Sequence, residues 1–434
     1  MELHEEDRVA RRCVLGAVGD IGLHGDVAEQ IRRHGPAWAM GAMVDVLRRA
    51  DVLFGNLEGV VLPRGFPSGG IHPGPLVTDI DVPAVLNAVP FHFVNLANNH
   101  VLDAGEEGMF HTREILESSG IVTGGVGSSQ ADARTLRVVE RNGLRLGFLC
   151  YAEDSNYTLS TSGACHAFSE PEAILEDVRS NRDEVDALIV SIHGDLEFMP
   201  APSTTRLAVS RRIAEAGARV VLQHHPHVPQ GVELWRGSLI AYSLGNFCCP
   251  VFTLPYLVRR LPDTAISQVL LIELDGSRVV GFQRVPCEIA RPPSQRPVPV
   301  EGPRRAEIEA FLLERDRLLS NGAAVQAGWG EAALARFDRL RRELGGVEDP
   351  DAALTLLAKH LFVAENRNWM DEVYRLASER WDELRVTGSR YQPPSDLLFP
   401  RRNAPVSWVD RGIATLERIV ARLKRARRRP PLSR

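Results

Sequence analysis

The sequence predicts an α/β domain, its helices covering a mixed sheet, followed by a separate helical region. From Cys13 to about Ile289, short apolar runs alternate with helical patterns. Hairpin signals break into that alternation, which makes the sheet mixed, not purely parallel. The segment ARPPSQRPVPVEGP (290–303) then ends the pattern with five prolines. It has few backbone donors, favours extended chain and reads as a linker.

Taken in order, CVLGAV (13–18) reads as a buried strand. AMVDVLRRA (42–50) reads as a helix feeding the strand DVLFGN (51–56). FHFVNLA (91–97) is a further strand, followed by a helix around EEGMFHTREILESSG. LRVVE (136–140) and LRLGFLC (144–150) form a hairpin across Arg141-Asn142-Gly143, because Asn-Gly is a strong turn signal. VDALIVSIH (185–193) is a strand, and the helix STTRLAVSRRIAEAG (203–217) leads into ARVVLQHH (218–225). GVELW and SLIAYSL make a late hairpin at Arg236-Gly237, and ISQVLLIEL and VVGFQRV close the domain. Beyond the linker, residues 304–434 carry only helical periodicity, with no internal repeat.

Composition excludes several classes. Of 434 residues, 44% are hydrophobic and 25% charged, as in a globular protein with a sizeable core. Mean hydropathy is -0.13. The formal net charge of -5 gives no basic field, so nucleic acid is not an expected partner. The six cysteines include no CxxC pair, and Cys248 adjoins Cys249, which suits reduced thiols. The start MELHEEDRVARRC has no apolar h-region, and no run of about 18 uncharged apolar residues follows. The sequence as given therefore predicts a cytoplasmic protein without a membrane-spanning segment.

Six segments place polar residues where strands should end: GAVGD (Asp20), FGNLEG (Asn56, Glu58), NLANNHVLD (Asn98, Asn99, His100, Asp103), SIHGDLE (His193, Asp195, Glu197), QHHPHV (His224, His225, His227) and YSLGN (Asn246). In parallel arrangements such ends converge on one edge of the sheet. Imidazole, carboxylate and Asn carbonyl groups suit zinc, manganese or iron, as one ion or two, and Glu58 is a candidate bridge. His225 and His227 are expected to point the same way on extended chain, with Pro226 stiffening the turn. Each residue alone has a plainer reading: Asp20 as a helix cap, Asn98 and Asn99 as turn residues, His193 as a satisfied core group. Three histidines within four residues are harder to explain by packing.

GDIGLHGDV, FGNLEGVV, NLANNHVLDAGEEGM, VSIHGDLEFMP and VVLQHHPHVPQGVELWRGSLIAYSLGNF together resemble the CapA family, named for poly-γ-glutamate capsule synthesis, within the metallophosphatase-like (calcineurin-like) superfamily. The resemblance spans about residues 13–289. It implies a four-layer α/β/β/α sandwich. It also implies metal ligation by Asp20, Glu58, Asn99, His193, His225 and His227, with Glu58 bridging and one of the final histidines on each metal. His100 would be the acid or transition-state stabiliser, with Asp103 and Glu197 beside it. Asn56, Tyr242 and Asn246 resemble residues on the substrate side of the pocket. Gly22 stands where the superfamily carries a histidine, Asp195 where the family has a glycine, and Gln223 where a glycine is usual.

The last predicted helix sets Ile413, Leu416, Val420 and Leu423 on one face and crowds arginines at its end. It reads as a packed helix with a basic tail, or as a peripheral contact for anionic lipid or polyglutamate. The expected function is a CapA-like metal-dependent hydrolase or transferase acting on a phosphoester or γ-glutamyl amide bond, with a small-molecule or polyglutamate-like substrate. The alternative is a non-catalytic assembly factor that binds an anionic polymer or a synthase partner.

Overall fold

The computed structural model describes residues 11–66, 76–153, 163–347, 349–362 and 369–379. Residues up to Ala377 form one compact unit, and the chain from Ser378 onward groups separately, with only Ser378 and Glu379 described. The predicted basic helix after residue 404 lies outside the described residues.

The strands of the first half are β1 (Arg12–Ile21), β2 (Val52–Leu57), β3 (Val60–Val61), β4 (Val77–Thr78), β5 (Phe93–Asn95), β6 (Val122–Gly124), β7 (Val126–Gly127), β8 (Arg137–Arg141) and β9 (Leu144–Ala152). Those of the second half are β10 (Cys165–His166), β11 (Ala187–His193), β12 (Val220–His224), β13 (Val232–Trp235), β14 (Ser238–Ala241), β15 (Asn246–Cys248), β16 (Ile266–Asp275), β17 (Arg278–Ile289) and β18 (Pro297–Pro299). One large sheet runs β18-β17-β16-β1-β2-β5-β6, with β15 also paired to β1; the other runs β13-β14-β12-β11-β9-β8. Both are mixed: β1, β2, β5 and β6 are parallel neighbours, as are β9, β11, β12 and β14, while β16, β17, β13 and β8 join antiparallel.

Strand alternation sorts side chains into layers. Leu15, Ala17, Phe54, Phe93, Phe148, Ile189, Val220, Leu222 and Ile272 meet between the sheets, and Phe93 and Phe148 stack with centroids 4.0 Å apart. Residues of the opposite parity face outward. Val18, Leu53 and Val94 lie under the helices Gly25–His34, Val82–Ala88 and Gly105–Ser118. Leu149, Tyr151, Leu188 and Val190 lie under Pro171–Asn181 and Thr204–Ala216. The result is the four-layer α/β/β/α sandwich that the resemblance implied.

Both predicted hairpins form on two-residue turns whose residues have positive φ, Asn142 (51°) with Gly143 (72°) and Arg236 (50°) with Gly237 (84°), the twist-matched geometry. The helix expected over 42–50 shrinks to a 3-10 turn, Gly41–Met43, and one α turn, Val44–Leu47, because the chain must already turn back into β2. The proline-rich segment does not hang free. Pro297–Pro299 pairs with β17 at the edge of the sheet, where a residue without an N–H is tolerated. Helices Gly302–Leu319, Gly322–Gly345, Pro350–Phe362 and the helical residues 369–379 follow. The first is tied to the sheets by Asp316, which pairs with Arg284 at 3.0 Å and accepts from the Val232 amide at 2.8 Å. Val325, Trp329, Ala333 and Trp369 pack against Leu196, Met199 and Ala201, the loop that follows β11.

Candidate metal centre

The parity that builds the inter-sheet core also delivers the site. In β2, Phe54 faces the core and Asn56 follows on the same face; β5 does the same with Phe93 and Asn95, β11 with Ile189 and His193, and β12 with Leu222 and His224. Asp20 has the parity of outward-facing Val18, yet it joins the inner set. Between Ala17 and Asp20 the register to β2 shifts by one residue, so Ala17 lies opposite Phe54 but Asp20 opposite Asn56. Gly19 makes this bend workable: a Cβ there would stand 2.0 Å from the Gly245 carbonyl oxygen.

The groups form one connected cluster. Asn95 Nδ2 donates to Asn56 Oδ1 at 2.8 Å, and Asn56 Nδ2 donates to Asp20 Oδ1 at 2.9 Å. His193 Nδ1 lies 3.2 Å from Asn56 Nδ2, and its Nε2 lies 2.9 Å from Asn99 Oδ1 and 3.2 Å from His225 Nδ1. His227 Nδ1 lies 2.9 Å from Asn246 Oδ1, whose amide nitrogen donates to the His227 and Thr264 carbonyls. Glu58 sits at the centre, its Oε1 3.8 Å from His193 Nε2 and 3.9 Å from both His227 Nε2 and His100 Nε2.

The chain around His225 and His227 is not extended. Both have positive φ, 99° and 58°, and the segment bends. Such geometry costs about 1–3 kcal/mol per non-glycine residue and concentrates at functional sites. The bend separates the roles of the two rings: His225 turns toward His193, and His227 toward Asn246, Glu58 and Glu197.

Burial sets the electrostatics. It pushes Glu58 up to about 7, with the Asp20 charge adding and the nearby histidines opposing. It holds His225 down to about 3 and His193 well below the usual imidazole range, helped by neighbouring imidazoles. His227 is also depressed by burial, but Glu58, Glu197 and Asp20 together raise it above its ordinary value. Asp20 resists burial through its contact with His224, 3.1 Å away, and stays low. His193 and His225 are thus held neutral, the state in which an imidazole binds a cation, whereas Glu58 and His227 hold a proton more tightly than usual and must release it as a cation enters.

The donor set fits divalent metal. Glu58 Oε1 is buried and has no hydrogen-bond partner, a costly condition that a cation would relieve. Glu58, His193 and His225 offer ligand atoms within 4.8 Å of one another, and so do Asp20, Glu58 and His227. These two groups share Glu58, and a third, Glu197, His225 and His227, takes one histidine from each of them.

The structure brings together Asp20, Asn56, Glu58, Asn99, His100, His193, His225, His227 and Asn246. Asp103 lies behind His100, its Oδ2 2.7 Å from Nδ1 and also accepting from the Leu76 amide, so it orients the ring. Glu197 stands at the rim, 4.0 Å from His227 Nε2. Tyr242 is not in the cluster. Leu239 and Ala241 face inward, so Tyr242 faces outward, its hydroxyl donating to Glu233 at 2.8 Å. Tyr242→Phe is expected to cost about 1 kcal/mol of stability and to leave metal content unchanged, as urea unfolding and elemental analysis would establish. The Asp195 carboxylate also turns away from the centre, accepting from the Ser203 amide at 2.8 Å. His224, grouped in the sequence with His225 and His227, stands behind Asp20, its Nδ1 3.1 Å from Oδ1. Sequence reading gave no role to Asn95 or to Tyr256, whose ring lies 5.9 Å from that of His227. Asn95 was detectable as the polar residue ending FHFVN; nothing in the sequence marks Tyr256.

The four-layer α/β/β/α sandwich gathers His, Asn and carboxylate groups between its sheets, the arrangement that the resemblance to metallophosphatase-like proteins implied. The chain belongs to the bacterial capsule synthesis protein family PGA_cap, whose model matches residues 14–250. It is 27% identical to the capsule biosynthesis protein CapA of Bacillus anthracis over 60% of this chain and 64% of that one. It is 28% identical to the PGA biosynthesis protein CapA of Bacillus subtilis strain 168 over 63% and 70%. The chain thus spans slightly less than two thirds of the first relative and slightly more of the second. Among solved structures, the 5'-nucleotidase of Candida albicans SC5314 aligns at a TM-score of 0.38 and 10% identity, over 70% of this chain and 57% of that one. Among the described residues, no helix is long and apolar enough to cross a membrane.

Proposed function

We propose that the chain is a metal-dependent hydrolase or transferase that acts on a phosphoester or γ-glutamyl amide bond during the assembly of a capsule-type polymer. The observation that carries this reading is the pair of ligand groups sharing the buried, hydrogen-bond-deficient Glu58. Glu58, Asn99, His193 and His225 would hold one divalent ion, and Asp20, Glu58 and His227 the other. A pair held so would polarise the scissile group and make a water or substrate hydroxyl nucleophilic at neutral pH. Asp103 holds His100 by Nδ1 and leaves Nε2 facing Glu58, where His100 donates a proton to the leaving group or stabilises its charge. Asn56 and Asn95 fix Asp20 and the His193 ring from behind.

The test is turnover of the manganese- or zinc-loaded protein on p-nitrophenyl phosphoesters and on short poly-γ-glutamate. Asp103→Asn is expected to keep the metal and to lower turnover roughly 10–100-fold. No turnover on either class by fully loaded protein would contradict the catalytic reading.

Gly22, which offers no ligand on the Asp20 side, favours a second reading: a non-catalytic assembly factor binding an anionic polymer. Poly-γ-glutamate binding unchanged by chelator would support it, and binding abolished by chelator alone would count against it.

A further inference from the structure

Asp20, Glu58 and His227 bring three side chains to one side of the centre, which leaves one position of a tetrahedral site for a further side chain or for solvent. Two residues beyond Asp20, Gly22 supplies none. The space its side chain would take is filled. A Cβ on Gly22 would stand 3.1 Å from His24 Nε2 and 3.2 Å from Cys249 Sγ. His24 is only 7% exposed, and its Nε2 has no hydrogen-bond partner. A buried imidazole nitrogen without a partner is costly unless it serves a ligand.

The surroundings direct it to the same centre. His24 and Glu58 line one small cavity with Leu57, Val60 and Leu76. Asp103 and the imidazoles of His100 and His227, all at the centre, act electrostatically on His24, and the carboxylates of Glu58 and Asp20 act on Cys249. The chain delivers His24 firmly: Gly22 N donates to the Cys248 carbonyl at 2.7 Å, and the His24 carbonyl accepts from Ala28 N at the start of the helix Gly25–His34.

We propose that His24 completes the metal position formed by Asp20, Glu58 and His227, standing in for the side chain that Gly22 lacks. This rests on the metal-centre reading above and deepens it. His24 stands outside the group of atoms already within 4.8 Å of one another, so ligation swings its ring toward Glu58, with which it lines the cavity.

The experiment compares wild type, His24→Ala, His24→Asn and His225→Ala, each stripped, reloaded with cobalt(II) and measured for stoichiometry, visible absorption and melting temperature before loading. His24→Ala and His24→Asn are expected to bind one equivalent where wild type binds two, and to keep the absorption bands that His225→Ala loses. Their melting temperature before loading is expected to match wild type, because the ring nitrogen has no partner to lose. Two equivalents retained by both variants, with affinities within twofold of wild type, would overturn the role of His24 while leaving the metal centre standing. A fall of more than a few degrees in both variants before loading would also overturn it, by making His24 structural. No cobalt in wild type would remove the metal-centre reading together with this one.

Discussion

His225→Ala is expected to cost the protein about one equivalent of bound divalent metal and to lower turnover on the order of a hundredfold or more. Its ring touches His193 Nε2 at 3.2 Å and lies in the group with Glu58. The backbone at 225 has a φ of 99°, and alanine there is as strained as histidine, so the bend itself is not relieved. The substitution therefore tests the ring. His193→Ala should remove the same equivalent, and the double variant should lose no more, because both rings serve one ion. Elemental analysis and titration read this directly. Additive losses, one equivalent from each single variant and two from the double, would assign the rings to different ions.

Glu58→Gln should act in two opposite directions. It should abolish binding of both ions, since Glu58 is common to the two groups. It should also stabilise the metal-stripped protein by about 1–3 kcal/mol, because it removes a buried carboxylate whose Oε1 has no donor. Asp20, on the neighbouring strand with a carboxylate oxygen within 4.8 Å, adds a second buried negative charge that Glu58 must tolerate. Urea unfolding in the presence of chelator gives the sign. A variant that is less stable and still metal-loaded would make Glu58 an architectural residue. Stability given up for a site is common where function needs strained or uncompensated groups.

Much of this was legible in the sequence for a simple reason. Period-two alternation and turn chemistry fix which runs are strands, and β1, β2, β9, β11, β12, β16 and β17 fall where the apolar runs predict. The polar residues after those runs then land on one edge, as Asn56, His193 and the HHPH segment do. What alternation cannot reveal is a shift of register. The extra residue between Ala17 and Asp20 turns Asp20 inward, and nothing in CVLGAVGD announces it apart from a glycine. Extended geometry was the natural reading of His225-Pro226-His227, but the positive φ values at both histidines come from tertiary packing around the centre. Tyr242 was read by family likeness where strand parity alone places it on the far side of the sheet. Tyr256, on the short helix Pro255–Val258, and His24, in the loop after β1, come near the centre from connecting segments, whose direction is set by the packed whole, not by local pattern.

The central claim is a two-ion centre built on Glu58. The most direct measurement is the metal content of the wild-type protein, by elemental analysis after stripping and reloading with manganese, zinc or iron. The account predicts about two equivalents per chain for at least one of these metals, retained through gel filtration. No bound metal after loading with each of the three would contradict it.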